Sequence, residues 1–284
     1  MGVKVEFKLT YKCKQSCNFC LFDHNKQWPS MTYDMVIDNL NYFSNENTID
    51  ELVLSGGEPL EMNFLPCICD YANSIPVKSI YLHSRGGKLL YDRLNDLEKF
   101  INRVMISYQT IGGHDNLSDE LIKTILKSNI EIRTNTVLLK HNYKHIYDII
   151  LHLAALGVRR FLISYPFPLG KTSVISNNNL LIDSKKIYDV IKGVSEYCER
   201  NNLTITFQGF PKCFLKPYQQ LQDVWEERFL VDYYHQKKEK LLLFQELLGI
   251  DYSELCQQCN ELENCNGVWV NSWHNEVFKL EPFI

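Results

Sequence analysis

No uninterrupted apolar stretch in the 284-residue chain approaches 18 residues, so no transmembrane helix is expected. The opening residues Met1-Gly2-Val3-Lys4-Val5-Glu6 alternate with charge and contain no apolar core of the kind a secretory signal requires. A cytoplasmic location is therefore the expectation. Basic charge is not in excess either. Lys and Arg number 30 against 34 Asp and Glu, a formal net charge of -4, which offers no general attraction to nucleic acid or to an anionic membrane. Low-complexity segments are lacking as well. What remains is ordinary for a globular protein, with 45% hydrophobic and 23% charged residues, in a chain long enough for one large domain and a small appendage.

Cysteine is the residue that is present in quantity. The chain has 10, and without a secretory signal such clusters mark metal or redox sites more often than disulfides. Cys67, Cys69 and Cys198 stand apart and read as packing residues. The other seven fall into two spaced groups. The first, Cys13, Cys17 and Cys20, has the spacing C-x3-C-x2-C directly after an alternating run, Val3-Lys4-Val5-Glu6-Phe7-Lys8-Leu9. Three thiolates can hold three irons of a 4Fe–4S cube and leave the fourth iron open to a small molecule, whereas clusters that only carry electrons are typically held by four cysteines. An open coordination position points to chemistry. A zinc site completed by His24, or thiols packed without metal, are the alternatives on spacing alone.

The first two-thirds of the chain alternates short apolar runs with amphipathic stretches. Strands are predicted at 3–10, 50–54, 77–83, 103–109, 130–138 and 159–164, with helices near 32–44, 62–74, 88–99, 117–128 and 143–156. Thr32 and Ser118 are expected caps, and Gly157 ends the last of these helices. Strands alternating with helices imply βαβ units and a parallel sheet. The fold class is therefore α/β, a partial (β/α)6 TIM-like barrel with functional residues at the C-terminal strand ends. A polar loop at 173–179, a helix near 184–201 and a strand at 203–208 follow, and Tyr233 to Leu248 reads as helical.

The second strand ends in Ser55-Gly56-Gly57-Glu58-Pro59. Two glycines permit a tight turn or a close approach to a ligand. Together with the three-cysteine loop on the strand before it, this resembles the radical S-adenosylmethionine (radical SAM) superfamily over about residues 3–170. The resemblance implies that the open iron chelates the amino and carboxylate groups of SAM, and that Gly56, Gly57, Glu58 and Pro59 serve the SAM amino group. Phe19, between the second and third cysteines, would line the adenine, with Asn18 and Phe19 offering backbone groups. Ser84-Arg85-Gly86 stands where relatives carry Thr-Asn-Gly. Ser107 would meet the SAM carboxylate or ribose and Asn135 the ribose. Gln109 replaces a usual Asp. The loop from Ser164 to Gly170 would approach the adenine or cover the pocket. Tyr108, Gln109, Arg133 and Tyr165 are expected to face the pocket without an assigned role.

The second group is Cys213 followed by Cys256, Cys259 and Cys265, where Cys256-Gln257-Gln258-Cys259-(x5)-Cys265 resembles the auxiliary-cluster tail of SPASM and twitch-domain enzymes. Four cysteines fit a single auxiliary 4Fe–4S cluster, with a four-thiolate zinc site as the alternative. The resulting organisation is a radical SAM barrel over 1–202 and a small twitch-like extension over 203–284. The resemblance implies reductive cleavage of SAM to a 5′-deoxyadenosyl radical and hydrogen abstraction from a ribosomally made peptide or protein, which would be cross-linked or oxidised. About a dozen residues precede Cys13, so no fused leader-recognition domain is expected, and a peptide would be presented by a separate recognition protein or bound directly. A flavodoxin- or ferredoxin-type reductant is the further partner. A small-molecule dehydrogenase or cofactor-biosynthesis enzyme, or a non-enzymatic electron carrier, are the competing functions.

Overall fold

Alternation of side chains sets the architecture. In β1 (Val3–Thr10), Val5, Phe7 and Leu9 join one hydrophobic core with Val36 and Leu40 of helix α1 (Tyr33–Glu46). Because successive strand residues point to opposite faces, Glu6, Lys8 and Thr10 face the other way, yet they too are buried. The apolar face meets helices and the polar face lines an interior. The computed structural model describes residues 2–166, 182, 184–223, 228–236, 242–243, 250–252, 254–269 and 283.

Five further βα units repeat this pattern: β2 (Ile49–Gly56), α2 (Leu65–Ser74), β3 (Ile80–Ser84), α3 (Gly87–Leu97), β4 (Arg103–Ser107), α4 (Ser118–Ile125), β5 (Glu131–Val137), α5 (Ile146–Leu156), β6 (Arg160–Ser164) and α6 (Ser184–Arg200). Then come β7 (Thr204–Gln208), β8 (Phe229–Val231) and β9 (Leu242–Leu243). The sheet order is β7-β6-β5-β4-β3-β2-β1-β8-β9, parallel throughout except for the β8–β9 pair. The predicted open α/β barrel is present, with two more parallel strands than its six units. β7 continues the main sheet beside β6, and β8 adds to the free side of β1, although both lie after residue 202.

Local expectations fare unevenly. Thr32 caps α1, its hydroxyl accepting from Met35 N at 3.2 Å, and Gly157 closes α5 at φ 112°. Ser118 does not cap α4. It lies one residue inside the helix, and its hydroxyl turns back to accept from His114 N and Asp115 N. The helix expected over Tyr233 to Leu248 is corrected in part, because Leu242–Leu243 pairs antiparallel with β8 as β9; the charged 237–240 lie outside the described residues, as does the loop 173–179. Cys69 and Cys198 are core residues, with burial pushing each thiol up to about 12. Cys67 is exposed on α2 and is not a packing residue. Among the described residues no helix is long and apolar enough to cross a membrane.

Candidate active site

Cys13, Cys17 and Cys20 occupy the loop that leaves β1, where each is half-buried. Their loop is fastened from several sides. Cys20 N donates to Cys17 O at 3.3 Å and Gln15 N to the Cys13 sulfur at 3.4 Å. Arg85, at the end of β3, donates from Nη1 to Gln15 Oε1 at 2.6 Å, and the Gln15 amide nitrogen lies 3.4 Å from His114 Nδ1. Arg85, in the place of the family's Asn, thus holds the cysteine loop. Burial, with the nearby Glu58 and Glu61 carboxylates, pushes the Cys13 thiol up, against the Gln15 amide. His24 is exposed and is not in the wall of the cavity described below.

Gly56 and Gly57 are required by the chain itself. A Cβ at Gly56, whose φ is 133°, would stand 2.1 Å from Thr10 O, and one at Gly57 would stand 2.3 Å from Lys12 O. The exit of β2 thus presses against the backbone immediately before Cys13, with Gly57 N donating to Thr10 O and Glu58 N to Lys12 O at 3.0 Å. Gly57→Ala is expected to displace the Thr10–Lys12 backbone, cost about 1–3 kcal/mol of stability, and lower iron incorporation at the adjacent cysteines. Chemical denaturation and iron analysis check both effects.

Glu58 and Pro59 stand behind that wall. The Glu58 carboxylate is fully buried and accepts from Ser84 Oγ and Arg85 N at 3.0 Å each and from Leu60 N at 3.3 Å. Burial raises its pKa against these donors. Glu58 therefore splices the loop after β2 to the end of β3 and does not line the cavity.

One cavity of about 280 Å³ opens at the C-terminal ends of the strands. Its wall combines Cys13, Cys17, Cys20 and Phe19 with Gly56 and Gly57, Ser84, Ser107 and Asn135. These residues come from five different strand ends. Ser107 Oγ accepts from Gln109 Nε2 at 3.0 Å and Asn135 Oδ1 from Ser164 Oγ at 2.8 Å, so both polar groups are held in place. Tyr165 and Pro166 also line the cavity, whereas 167–170 lie outside the described residues. Tyr108, Gln109 and Arg133 do not line it. Tyr108 instead donates to Asp119 at 2.7 Å on the helical side, and Arg133 pairs with Asp223 at 2.6 Å.

The wall also holds residues that sequence reasoning missed. His83 and His114 each present a buried Nε2 with no hydrogen-bond partner among the described residues. Below them a charged lining runs along the inner face. Glu6 contacts Lys8 at 2.5 Å, Arg228 at 3.4 Å and Ser55 Oγ at 2.7 Å, while Glu51 meets Arg103 at 2.5 Å. Burial, with Lys8, Arg228 and Arg133 adding to it against Glu6, brings the His83 pKa down to about 3. The imidazole is neutral there. The signal was the period-2 charge in strands whose apolar face was already claimed by helices.

The tail cysteines converge separately. Strand β10 (Ile250–Asp251) pairs antiparallel with β11 (Val268–Trp269), which brings together the ends of the segment carrying Cys256, Cys259 and Cys265. Cys256 lies in a 3-10 turn, Glu254–Gln258, and Cys265 follows another, Leu262–Asn264. All four, Cys213 included, line one small enclosed cavity with Lys212 and Tyr252. Lys212 Nζ pairs with Glu261 at 2.8 Å across it.

The profile of the radical SAM superfamily matches residues 7–173. A GTP 3′,8-cyclase of Clostridium perfringens (strain SM101 / Type A) is 28% identical over 206 residues, covering 64% of this chain and 62% of that protein. An S-adenosylmethionine-dependent nucleotide dehydratase of Selenomonas ruminantium is 27% identical over 164 residues, 50% of this chain and 58% of the other. The chain spans less than two thirds of the length of these relatives. Among solved structures, Streptococcus suis SuiB bound to S-adenosylmethionine aligns at TM-score 0.66 and 12% identity, covering 94% of this chain and 72% of that one. The structure of anSMEcpe with bound AdoMet and a Cp18Cys peptide aligns at TM-score 0.59 and 13% identity, over 72% and 63% respectively. Such identities establish a shared fold.

Proposed function

Because this chain belongs to the radical SAM superfamily, we propose that it cleaves S-adenosylmethionine reductively and abstracts a hydrogen atom from a substrate held in the strand-end cavity. The observation that carries this reading is the convergence of three thiols with Phe19, Gly56, Gly57, Ser84, Ser107 and Asn135 on one cavity wall. The donor set fits a 4Fe–4S cluster with one open iron: three thiols on one fastened loop. When bound, the cluster supplies the electron that breaks the SAM carbon–sulfur bond, giving methionine and a 5′-deoxyadenosyl radical. This chain's residues orient and shield. Phe19 offers an aromatic face for the adenine, and Ser84, Ser107 and Asn135 offer hydrogen bonds to SAM. Glu58 and Arg85 keep the loops in register from behind.

The substrate we propose is a ribosomally made peptide or protein, to be oxidised or cross-linked, presented directly or by a separate recognition protein. The open-barrel fold shared with SuiB and anSMEcpe, whose structures hold peptides, is consistent with it. A small-molecule substrate is the second reading. It is favoured by the nucleotide chemistry named in both relatives and by Lys8, Arg228, Arg103 and Arg133 facing the barrel interior. We assign a second 4Fe–4S cluster to Cys213, Cys256, Cys259 and Cys265 in a twitch-like extension, and a flavodoxin- or ferredoxin-type protein as reductant. Reconstituted enzyme given SAM and dithionite without oxygen is expected to release 5′-deoxyadenosine. Deuterium from a labelled peptide should appear in it. Label arriving from a nucleotide instead would overturn the peptide assignment, and no 5′-deoxyadenosine at all would overturn the whole reading.

A further inference from the structure

Three N–H groups gather around the sulfur of Cys265. Lys212 N and Gly267 N each approach it at 3.4 Å, and the side-chain nitrogen of Gln222 lies 3.9 Å away, within the longer reach of an N–H···S contact. The two backbone donors belong to the cysteine's own turn and to the facing loop. Gln222 comes from elsewhere. It sits beside β7, where a parallel bridge to Phe207 and the bond from Asp223 N to Phe207 O at 2.8 Å anchor its backbone to the main sheet.

The orientation of this side chain is determined by what surrounds it. Gln222 is 5% exposed, and its Nε2 donates to Phe210 O at 2.7 Å. A carbonyl can only accept, so the amide must turn its nitrogen, not its oxygen, to that side. The same nitrogen carries a second hydrogen, and the Cys265 sulfur is the acceptor beside it. Gln222 Oε1 on the far side is buried without a partner among the described residues. A buried acceptor left unsatisfied is costly, and a leucine or methionine of similar size would avoid that cost. The polar residue is explained if its N–H groups serve a charged acceptor, and a metal-bound thiolate is one.

We propose that Gln222 is a positioning residue for the tail cluster, donating a hydrogen bond to the Cys265 thiolate and raising the reduction potential of the iron–sulfur group held there. Hydrogen bonds to the sulfurs stabilise the more negative, reduced state and are among the main controls on cluster potential. The placement has a second consequence. The Phe210 ring packs on Tyr165 with centroids 5.5 Å apart, and Tyr165 lines the strand-end cavity. Gln222 therefore touches the tail site through Cys265 and is linked to the strand-end cavity only by way of Phe210, whose ring rests on Tyr165.

This inference rests on the tail cysteines holding an iron–sulfur cluster. The test uses the full chain with Cys13→Ala, Cys17→Ala and Cys20→Ala, so that the tail gives the sole cluster signal, and compares Gln222 with Gln222→Met and Gln222→Glu. Methionine keeps the length and removes the donor; glutamate keeps the shape and sets an acceptor against the sulfur. Iron and sulfide analysis is followed by a redox titration read by electron paramagnetic resonance. The expected result is about four irons per chain and a midpoint potential more negative in both variants than with Gln222. An unchanged midpoint in variants that hold their iron would overturn the role of Gln222 while leaving the cluster standing. Zinc, or no metal, in the Gln222 chain would overturn the cluster assignment itself and the proposal with it.

Discussion

Replacing Cys13, Cys17 or Cys20 by alanine is expected to reduce 5′-deoxyadenosine formation to background while the fold survives. The three sulfurs lie in a half-buried loop outside the hydrophobic core, so their removal takes little packing energy. On the proposed reading each thiolate would hold one iron, and without any one of them the cube that would bind SAM beside the barrel wall is not kept. Iron should fall from about eight to about four per chain if the tail holds its own cluster. Circular dichroism and the denaturation midpoint should change by less than about 1 kcal/mol, the scale of substitutions away from a core. The same substitution at Cys67, exposed on α2, should alter neither iron nor product. Full activity in any of the three variants would show that the radical is not made at this loop.

Glu6→Ala is expected to have the largest effect on stability. Glu6 is 2% exposed and is held by Lys8, itself 6% exposed, and by Arg228. Removing one member of a buried ion pair leaves its partners' charge inside the protein and costs about 3–5 kcal/mol. The pH dependence follows from the same residues. Burial disfavours the Glu6 carboxylate, but Lys8 and Arg228 outweigh it and hold its pKa far below the ordinary 4.5. Its contribution is thus complete above pH 4.5 and is lost as the pH falls from there towards the folded value. His83 acts with the same sign in a higher window. Its folded pKa of about 3 lies below the unfolded 6.5, so the unfolded chain takes up the proton first and stability declines from pH 6.5 downward. Denaturation followed across this range should show Glu6→Ala flattening the slope below pH 4.5 and His83→Gln flattening it between 4.5 and 6.5. A Glu6→Ala protein as stable as the parent would refute the charged interior.

Much of this was legible because the relevant signals are local in the chain. The C-x3-C-x2-C loop and Gly56-Gly57 lie at the ends of successive parallel strands, and a parallel sheet places such ends side by side whatever the details of packing. Ser84, Ser107 and Asn135 follow by the same logic. What escaped was long-range. β8 reaches β1 across more than 200 residues of chain, and the short segment Phe229–Val231 has no periodicity to mark it. The pair Leu242–Leu243 looked helical because its apolar neighbours suit either state, and its pairing with β8 decides for strand. Glu58 belongs to the contiguous Gly-Gly-Glu-Pro motif, whereas the donors that its buried carboxylate needs, Ser84 and Arg85, come from the next strand end. The alternation of Glu6 and Lys8 in β1 marked a strand, while the inward direction of their face depended on helices covering the other one.

The most direct test is the electron paramagnetic resonance spectrum of the reduced protein carrying Cys213→Ala, Cys256→Ala, Cys259→Ala and Cys265→Ala, recorded with and without S-adenosylmethionine. A 4Fe–4S signal whose position shifts when SAM is added is the expected result, since SAM then occupies the iron that has no thiolate. A signal indifferent to SAM, or zinc in place of iron at Cys13, Cys17 and Cys20, would contradict it.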